Sequence, residues 1–228
     1  MKKSVLIIDY ESDFIDTHAL SLTKEGYNVL TAETYSSALP LIKQSPDLIL
    51  LNLLMPDMNG LDIVRLIKQN VATSTIPIIV LSSKDFETDE IISLELGADD
   101  YLQKPIQTQK LNARIRSILR QQYQLQNKTG DKEILVFNGL EINIPGYLIT
   151  HNNKTLVFPR KEFDILALLA SHPEKVFTRM EIIHAVWGST KYNASRTLEV
   201  HIARIRKKLE DVASSIVTVS RVGYKFHA

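Results

Sequence analysis

The sequence contains no cysteine among its 228 residues. A disulfide scaffold, a thiolate nucleophile and a cysteine-ligated zinc site are therefore excluded. The histidines show no metal-ligand spacing, and the sequence lacks both the glycine-rich loops that cradle phosphates and the Gly-x-Ser-x-Gly turn of hydrolases. We therefore expect no metal ion, no cofactor and no enzymatic activity.

Long apolar runs are also absent. No run approaches the roughly 18 apolar residues that cross a bilayer, so we expect no membrane-spanning segment and no membrane partner. The apolar run near the N-terminus is shorter than the roughly 7–15 residues of a signal peptide, so we expect a cytoplasmic protein. Hydrophobic residues make up 44% of the chain and charged residues 23%, which is typical of a globular protein.

The net charge of +1 conceals an uneven distribution. Residues 1–122 contain 12 basic and 16 acidic residues, whereas residues 123–228 contain 15 basic and 10 acidic ones. An acidic half followed by a basic half indicates that only the second half contacts a polyanion.

Short apolar runs alternate with amphipathic segments in the first half of the chain. The pattern predicts strands over 5–9, 27–32, 47–52, 76–82 and 99–103, and helices over 12–25, 34–44, 60–69, 86–96 and 107–121. This alternation is typical of a doubly wound α/β domain with a five-stranded parallel sheet. Ligands bind such sheets beyond the carboxyl ends of the strands, which here carry Asp9, Asn52, Ser82 and Lys104.

A polar, glutamine-rich segment over 123–133 predicts a linker between a domain of residues 1–122 and a domain of residues 134–228. The second domain begins with four strand-like runs and ends with a hairpin about Gly223. Three helices are predicted between them, over 160–171, 179–187 and 196–210. Thr178 and Glu181 form a capping box before the second helix, and Ser195 is a cap for the third.

The third predicted helix has two distinct faces. Leu198, Ile202, Ile205 and Leu209 recur at helical spacing and predict a buried stripe. The opposite face is basic with small apolar gaps, which suits a DNA major groove, because arginine reads guanine and small apolar groups meet thymine methyls. This outer stripe consists of Arg196, Val200, Ala203, Arg204 and Lys207. His201, Arg206 and Lys208 flank it and are predicted to reach DNA phosphates.

Several long segments resemble the OmpR/PhoB family of response regulators. They are PDLILLNLLMPDMNG, IPIIVLSSKD and GADDYLQKPI in the first half, and KEFDILALLA, RTLEVHIARIRKKLE and TVSRVGYKF in the second. The resemblance implies a receiver domain that is phosphorylated on an aspartate after its third strand, followed by a winged helix-turn-helix that binds double-stranded DNA. It also implies direct-repeat DNA sites, and RNA polymerase is a further candidate partner.

The receiver site departs from the family pattern at two positions. The phosphoacceptor aspartate of the family corresponds to Asn52, and an amide is not an anionic nucleophile. The second of two acidic residues that help to bind Mg²⁺ corresponds to Tyr10, next to the retained Asp9. Ser82 and Lys104 match the family's hydroxyl and lysine positions. We therefore expect a degenerate pocket in which Lys104 pairs with Asp9 or donates to the amide oxygen of Asn52.

Two explanations of Asn52 remain open at this point. One is a natural receiver that does not use phosphate, and the other is an ordinary phosphorylation-switched regulator with an engineered Asp-to-Asn block. Tyr10 favours the first explanation, because a deliberate block needs only one change.

The resemblance further implies a homodimer through the fourth helix, fifth strand and fifth helix of the receiver. One family ion pair corresponds to Asp100 and Arg114, and a second to Glu90 and Lys110 with the charges exchanged. A third family ion pair corresponds to Asp99 and Gln121. Because glutamine carries no charge, we expect this ion pair to be lost unless Arg120 replaces the missing base. A solvated charged face is the alternative interpretation of these residues.

The terminal hairpin corresponds to the wing of the family. Thr218 is a candidate phosphate contact, and Arg221 is a candidate minor-groove contact although it is displaced by one position from the family's arginine. These residues predict a sequence-specific transcription regulator that acts independently of aspartyl phosphorylation. The competing hypotheses are an α/β enzyme and a winged helix that binds protein, which the absent catalytic motifs and the basic stripe disfavour.

Overall fold

The computed structural model describes residues 2–83, 87–128, 134–187 and 194–228. Within these ranges the side chains of residues 87, 121–128 and 194–197 are not described. The chain forms two compact units, Met1–Leu119 and Arg120–Ala228. No helix of the described residues is long and apolar enough to cross a bilayer.

The first unit contains a five-stranded sheet in the order β2-β1-β3-β4-β5, and each paired strand is parallel to its neighbour. The strands are β1 (Ser4–Ile8), β2 (Asn28–Ala32), β3 (Leu48–Asn52), β4 (Ile78–Ser82) and β5 (Asp100–Gln103). Side chains of β1 alternate between two apolar clusters, with Leu6 and Ile8 in one and Val5 and Ile7 in the other. The sheet is therefore covered on both faces, which explains its nearly continuous apolar runs and confirms the predicted fold class.

Five helices flank the sheet: α1 (Ser12–Lys24), α2 (Tyr35–Ile42), α3 (Gly60–Gln69), α4 (Glu87–Glu95) and α5 (Thr108–Lys128). Asn59 begins α3 by accepting a hydrogen bond from Leu61 N at 2.9 Å, which satisfies one of the free donors of the first turn. The predicted helix ranges agree with these bounds except at the end of α5. That helix continues to Lys128, inside the predicted linker, and residues 129–133 lie outside the described residues.

The second unit begins with a four-stranded antiparallel sheet in the order β6-β7-β8-β9. Its strands are β6 (Ile134–Phe137), β7 (Leu140–Asn143), β8 (Leu148–His151) and β9 (Lys154–Leu156). Asn138 and Gly139 have φ of +46° and +79°, so the tight turn between β6 and β7 uses the residue types that tolerate this conformation.

A helical layer and a small second sheet follow. The elements are α6 (Arg160–Ala170), β10 (Phe177–Thr178), α7 (Arg179–Trp187), α8 (Ala194–Leu209), a 3₁₀ helix (Glu210–Ser215), β11 (Ile216–Val219) and β12 (Gly223–Phe226). The sheet order β10-β12-β11 makes β11 an edge strand. Gly223 allows β12 to approach β10, because a Cβ there would lie 2.0 Å from the carbonyl oxygen of Phe177. This architecture confirms the predicted winged helix-turn-helix.

Most local sequence signals around α7 and α8 agree with the structure where it describes them. Thr178 N donates to Glu181 Oε2 at 2.7 Å and Glu181 N donates to Thr178 Oγ1 at 3.2 Å, which confirms the capping box. The predicted cap at Ser195 is wrong, because α8 begins at Ala194 and already includes Ser195. Residues 188–193, between α7 and α8, contain the predicted turn and lie outside the described residues. The predicted apolar stripe of α8 is buried in the core of the second unit: Leu198, Ile202, Ile205 and Leu209.

Candidate functional site

The carboxyl ends of four receiver strands meet at one edge of the sheet. They bring together Asp9 after β1, Asn52 at the end of β3, Ser82 at the end of β4 and Lys104 after β5. Asp9, Asn52 and Ser82 are fully buried, and Lys104 is 8% exposed. These four side chains therefore lie at the same edge of the sheet, and the partners of each side chain determine what the pocket can bind.

Asp9 is the centre of the pocket. Its Oδ1 accepts hydrogen bonds from Asn52 Nδ2 at 2.8 Å and from Glu11 N at 3.1 Å, and its Oδ2 accepts one from Lys104 Nζ at 2.7 Å. The Asn52 amide has a fixed orientation, because its Oδ1 accepts from Leu54 N at 3.1 Å while its nitrogen faces the carboxylate. Of the two predicted roles of Lys104, the structure shows pairing with Asp9.

Lys104 has two further contacts that were not predicted. Its Nζ lies 3.2 Å from Glu11 Oε1 and 4.1 Å from the centre of the Phe14 ring. Glu11 thus reaches the pocket, although it is one residue after Tyr10, which corresponds to the family's metal-binding position. Phe14 follows Glu11 by three residues in the first turn of α1, a spacing that places both side chains on one side of the helix. That spacing is the signal from which the Phe14 contact could have been predicted.

The residues in the pocket do not fit the Mg²⁺ ion that the family implies. Both oxygens of Asp9 accept hydrogen bonds from protein donors, and Asn52 presents an N–H donor to Asp9 instead of an oxygen. Tyr10, at the other family ligand position, is 47% exposed. Among the described residues no group of three or more His, Cys, Asp or Glu side chains could hold a metal ion. A hard cation prefers several oxygen ligands, and this arrangement does not supply them.

The predicted dimer face is only partly at the surface. Lys110 is exposed, and Glu90 and Arg114 are half-buried. Asp100 is buried, and its Oδ2 lies 3.7 Å from Arg114 Nε of the same chain. The Gln121 side chain lies outside the described residues.

The prediction for Asp99 is wrong. Its side chain is fully buried, and its Oδ2 accepts from Ile78 N at 3.0 Å and lies 3.2 Å from Lys68 Nζ. Lys68 is itself buried in α3 and also donates to the Ile76 carbonyl oxygen at 2.7 Å. Asp99 therefore neutralises a buried lysine inside the receiver and is not available to a partner chain.

The outer stripe of α8 is placed much as predicted. Ala203 and Lys207 are exposed, and Val200 and Arg204 are half-buried. Arg196 lies on α8, but its side chain is outside the described residues. The stripe thus presents a cation beside small apolar side chains on the side of α8 that faces away from the core.

The prediction for His201 is wrong. Its side chain is 1% exposed, its ring centre lies 5.6 Å from that of Trp187, and its Nδ1 lies 3.9 Å from Glu162 Oε1. Lys208 was also predicted to reach phosphate, but its Nζ lies 2.5 Å from Glu162 Oε2. Both residues follow a buried leucine or isoleucine by three positions, so they lie on the edge of the buried stripe and face α6.

Glu162 is nevertheless charged in this buried place. Burial acts to raise the pKa of its carboxyl, but the interaction with the His201 side chain and the charge and hydrogen bond of Lys208 outweigh that effect. The pKa of Glu162 is therefore below its ordinary value. The pair with Lys208 fixes α8 against α6.

Arg206 was predicted to reach phosphate, but it contacts the wing instead. Its Nη2 donates to the Ile216 carbonyl oxygen at 2.7 Å and to Thr218 Oγ1 at 2.8 Å. Arg221 is exposed with φ of +60° in the turn between β11 and β12. Arg221 therefore lies at the tip of the hairpin and not within a strand.

Comparison with known families and proteins agrees with this architecture. Residues 5–116 match the family described as response regulator receiver domain, and residues 153–226 match the family described as transcriptional regulatory protein, C terminal. The chain is 35% identical over 226 residues to the sensory transduction protein RegX3 of Mycolicibacterium smegmatis, covering 97% of this chain and 98% of that protein.

Two further similarities extend over nearly the whole chain. The chain is 34% identical over 229 residues to the DNA-binding response regulator MtrA of Mycobacterium tuberculosis strain H37Rv, covering 99% of this chain and 97% of MtrA. The solved structure of a single-site mutant of RitR superposes with a TM-score of 0.86 at 27% identity and covers 99% of each chain. Because both families match this chain and relatives of 34–35% identity align with nearly all of it, the chain belongs to the OmpR/PhoB-type response regulators, the DNA-binding transcription regulators of two-component systems.

Proposed function

We propose that this regulator binds its DNA sites without aspartyl phosphorylation, and that its receiver acts as a dimerisation module with a permanently closed pocket. The observation that carries this proposal is the bonding of Asp9, whose two carboxylate oxygens are held by Asn52 and Lys104. Three features of the pocket support it: the chemistry of Asn52, the pairing of Lys104 and the lack of a metal-binding set.

The chemistry of Asn52 opposes phosphorylation. An amide has no anionic oxygen with which to attack a phosphodonor, so the acyl phosphate of an aspartate has no equivalent here. Lys104 is the cation that would contact a phosphoryl oxygen, and it already pairs with Asp9 in a buried setting. Separating a buried ion pair leaves an uncompensated charge, which costs roughly 3–5 kcal/mol. A phosphodonor would have to overcome this cost without a Mg²⁺ site.

The second unit supplies the DNA-binding surface. We assign base contacts to the outer stripe of α8, with Arg204 reading guanine and Val200 and Ala203 meeting thymine methyls. Lys207, a flexible and exposed point charge, suits a phosphate. Thr218 and Arg221 on the wing add contacts to the DNA backbone and the minor groove. Direct-repeat sites are the arrangement that the family implies.

The proposed dimer rests on a smaller set of residues than the sequence predicted. We assign Glu90 and Lys110 to the exchanged pair across the interface and keep Arg114 as a further candidate, since none of the three is buried. Asp99 is excluded by its burial with Lys68. The exchanged charges would oppose mixed dimers with relatives of ordinary charge order, because like charges would then face each other.

The proposal is tested with acetyl phosphate and Mg²⁺. The mass of the intact chain and its affinity for target DNA should both stay unchanged on treatment. Asn52→Asp should remain inefficient because Tyr10 still lacks the second carboxylate, whereas Tyr10→Asp combined with Asn52→Asp should gain a labile phosphoryl group. A labile phosphoryl group on the tryptic peptide that contains Asn52 of the parent chain would overturn the proposal. Efficient phosphorylation of Asn52→Asp alone, with a phosphodonor-dependent rise in its DNA affinity, would restore the engineered-block explanation, which does not account for Tyr10.

A further inference from the structure

Arg206 connects the last turns of α8 to the edge strand of the wing. Its Nε and Nη2 both donate to the Ile216 carbonyl oxygen, at 3.2 and 2.7 Å, and Nη2 also donates to Thr218 Oγ1 at 2.8 Å. The guanidinium carbon lies 5.9 Å from the centre of the Tyr224 ring on β12. One side chain thus bonds two positions of β11 and covers the neighbouring strand.

The Ile216 carbonyl oxygen is available to Arg206 because of the strand register. Ile216 is opposite Phe226 in the register of β11 and β12. His227 N donates to the Ser215 carbonyl oxygen at 2.7 Å, so the neighbouring pair Ser215–His227 is hydrogen-bonded. Because hydrogen-bonded and non-hydrogen-bonded pairs alternate along antiparallel strands, the Ile216–Phe226 pair does not exchange hydrogen bonds. The Ile216 carbonyl therefore points away from β12, at the free edge of the sheet. Arg206 satisfies this acceptor and ties the wing to α8 through it.

The bond to Thr218 fixes the direction of its hydroxyl hydrogen. Arginine has donors and no acceptor, so Thr218 Oγ1 must accept, and its own O–H must point to another acceptor. Because Thr218 is exposed, that O–H can reach an acceptor at the surface. A hydroxyl that accepts from a cation is also a stronger donor than an isolated one.

We infer that Arg206 does not contact DNA but is a positioning residue: it sets the wing against the reading helix and directs the Thr218 hydroxyl at a DNA phosphate. This inference rests on the proposed DNA-binding face. Its neighbour Lys207 provides a matched control, because it is exposed on the same turn of α8 and is proposed to contact phosphate directly.

The salt dependence of DNA binding separates the two residues. Each cation that pairs with a phosphate contributes about 0.9 to the slope of log K against log salt concentration. Arg206→Gln should weaken binding about tenfold, the loss of roughly one hydrogen bond to a charged group, while the slope stays that of the parent. Lys207→Gln should lower the slope by about one. A drop of about one in the slope of Arg206→Gln would overturn the inference.

A double-mutant cycle tests the connection with Thr218. Thr218→Val removes the hydroxyl but keeps the shape and both bonds from Arg206 to Ile216, and Thr218→Ser keeps the hydroxyl. We expect Thr218→Ser to bind nearly as the parent and Thr218→Val to weaken binding. Adding Thr218→Val to Arg206→Gln should cause no further loss, whereas adding it to Lys207→Gln should multiply the two losses. Multiplicative losses with both backgrounds would overturn the inference.

Thermal unfolding of each variant identifies any loss that comes from misfolding. Thr218→Val leaves the bonds from Arg206 to Ile216 intact, so the variants at position 218 remain informative even if Arg206→Gln is unstable. Val at this position should weaken DNA binding, and Ser should restore it. Equal binding by Thr, Val and Ser would overturn the inference. Failure of the proposed function would look different. In that case the parent chain and Lys207→Gln would both fail to bind DNA, whereas failure of this inference alone would leave DNA binding by the parent chain intact.

Discussion

The receiver and the winged helix both bury charged side chains, but they use them in opposite ways. In the receiver pocket Asp9, Lys104 and Glu11 bind one another, so no charged group in that set is directed at a ligand. In the winged helix Glu162 holds Lys208 underneath α8, while Lys207 on the same helix remains exposed. Burial of charge closes a site in the first case and supports an open surface in the second.

The difference teaches how to interpret a basic helix. The last turn of α8 contains three consecutive basic residues, Arg206, Lys207 and Lys208, and each has a different environment. Arg206 bonds to the wing, Lys207 is exposed, and Lys208 pairs with Glu162 on α6. Only one of the three is therefore assigned to phosphate, and the number of basic residues overestimates the number of phosphate contacts.

Removal of Glu162 should have the largest effect. Glu162→Ala leaves the buried His201 and the partly buried Lys208 without their carboxylate, and we expect a loss of about 3 kcal/mol in the free energy of unfolding. Urea denaturation of the full chain measures it. Glu199→Ala, an exposed glutamate on α8, is the control and should change stability by less than about 0.5 kcal/mol. Equal effects of the two variants would contradict the bracing role of Glu162.

The corresponding test in the receiver is Asn52→Asp. The change replaces the N–H donor that lies 2.8 Å from Asp9 with a second carboxylate, and a single lysine then faces both. We expect a loss of about 2 kcal/mol in the stability of the receiver at neutral pH, from the lost hydrogen bond and the like-charge repulsion. Thermal unfolding with and without MgCl₂ provides the measurement. Tyr10→Asp in addition should make the stability Mg²⁺-dependent, and a parent chain that is stabilised by Mg²⁺ would show that the pocket is open after all.

Arg204→Ala should affect recognition more than stability. Loss of a bidentate contact to guanine costs about 1–3 kcal/mol and relaxes the preference at one base position. Binding of one target sequence and of scrambled DNA across a salt series measures the ratio of specific to nonspecific affinity. Lys207→Ala is the control, because it should weaken binding to both DNAs alike. An unchanged ratio for Arg204→Ala would mean that α8 is wrongly oriented in the proposal.

Acid should weaken the contribution of Glu162 to stability. The pKa of Glu162 is lower in the folded chain than its ordinary value of 4.5, so its contribution to stability is fully present above that value. As the pH falls from 4.5 through the pKa of Glu162 in the folded chain, the unfolded chain binds a proton at Glu162 more readily than the folded chain does. The contribution of Glu162 to the free energy of unfolding is therefore lost over this range. Glu162→Gln should therefore show a flatter decline in stability below pH 4.5 than the parent. Urea midpoints measured across this acid range test the expectation, which parallel declines would contradict.

The smallest effect is expected at the receiver dimer face. Lys110→Glu places like charges opposite each other in the exchanged pair and should weaken self-association only a few-fold, because an exposed pair contributes about 0–1 kcal/mol. Glu90→Lys combined with Lys110→Glu should restore the parent value. Sedimentation of the full chain at low salt measures both. No difference among the three proteins would remove Glu90 and Lys110 from the interface.

Sequence periodicity predicted most of the fold because strands and helices here bury regular apolar patterns. It missed β10, which has two residues and exists only through pairing with β12, and the 3₁₀ helix over Glu210–Ser215. In the pocket, the topology of a parallel sheet was sufficient to bring Asp9, Asn52, Ser82 and Lys104 together. The partner that Lys104 selects depends on side-chain reach, which a sequence pattern does not contain.

The wrong assignments of Asp99 and His201 share one feature. Asp99 was assigned to the dimer face by the family resemblance, and His201 was assigned to DNA because it flanks the outer stripe of the third predicted helix. Each is buried with a partner remote in sequence: Lys68 for Asp99, and Glu162 for His201. The N-terminal part of α6 is a similar case, since Arg160 and Asp164 are both buried and lie 3.5 Å apart. Helical spacing places His201 at the edge of the buried stripe, but the partner that neutralises each buried charge is distant in sequence and is not contained in a local pattern.

The hydrogen bond from Asn52 to Asp9 also constrains how this receiver can evolve. A return to phosphate chemistry needs carboxylates at positions 10 and 52, and the two substitutions must occur one after the other. Asn52→Asp as the first step sets two carboxylates against each other, while Tyr10→Asp as the first step brings no phosphorylation because position 52 still carries an amide. Under the proposed function we expect neither intermediate to gain activity and Asn52→Asp to lose stability, so selection on single substitutions would favour retention of the closed pocket. Descendants of this protein are therefore expected to vary in other parts of the receiver while the Asp9–Asn52–Lys104 set is inherited together.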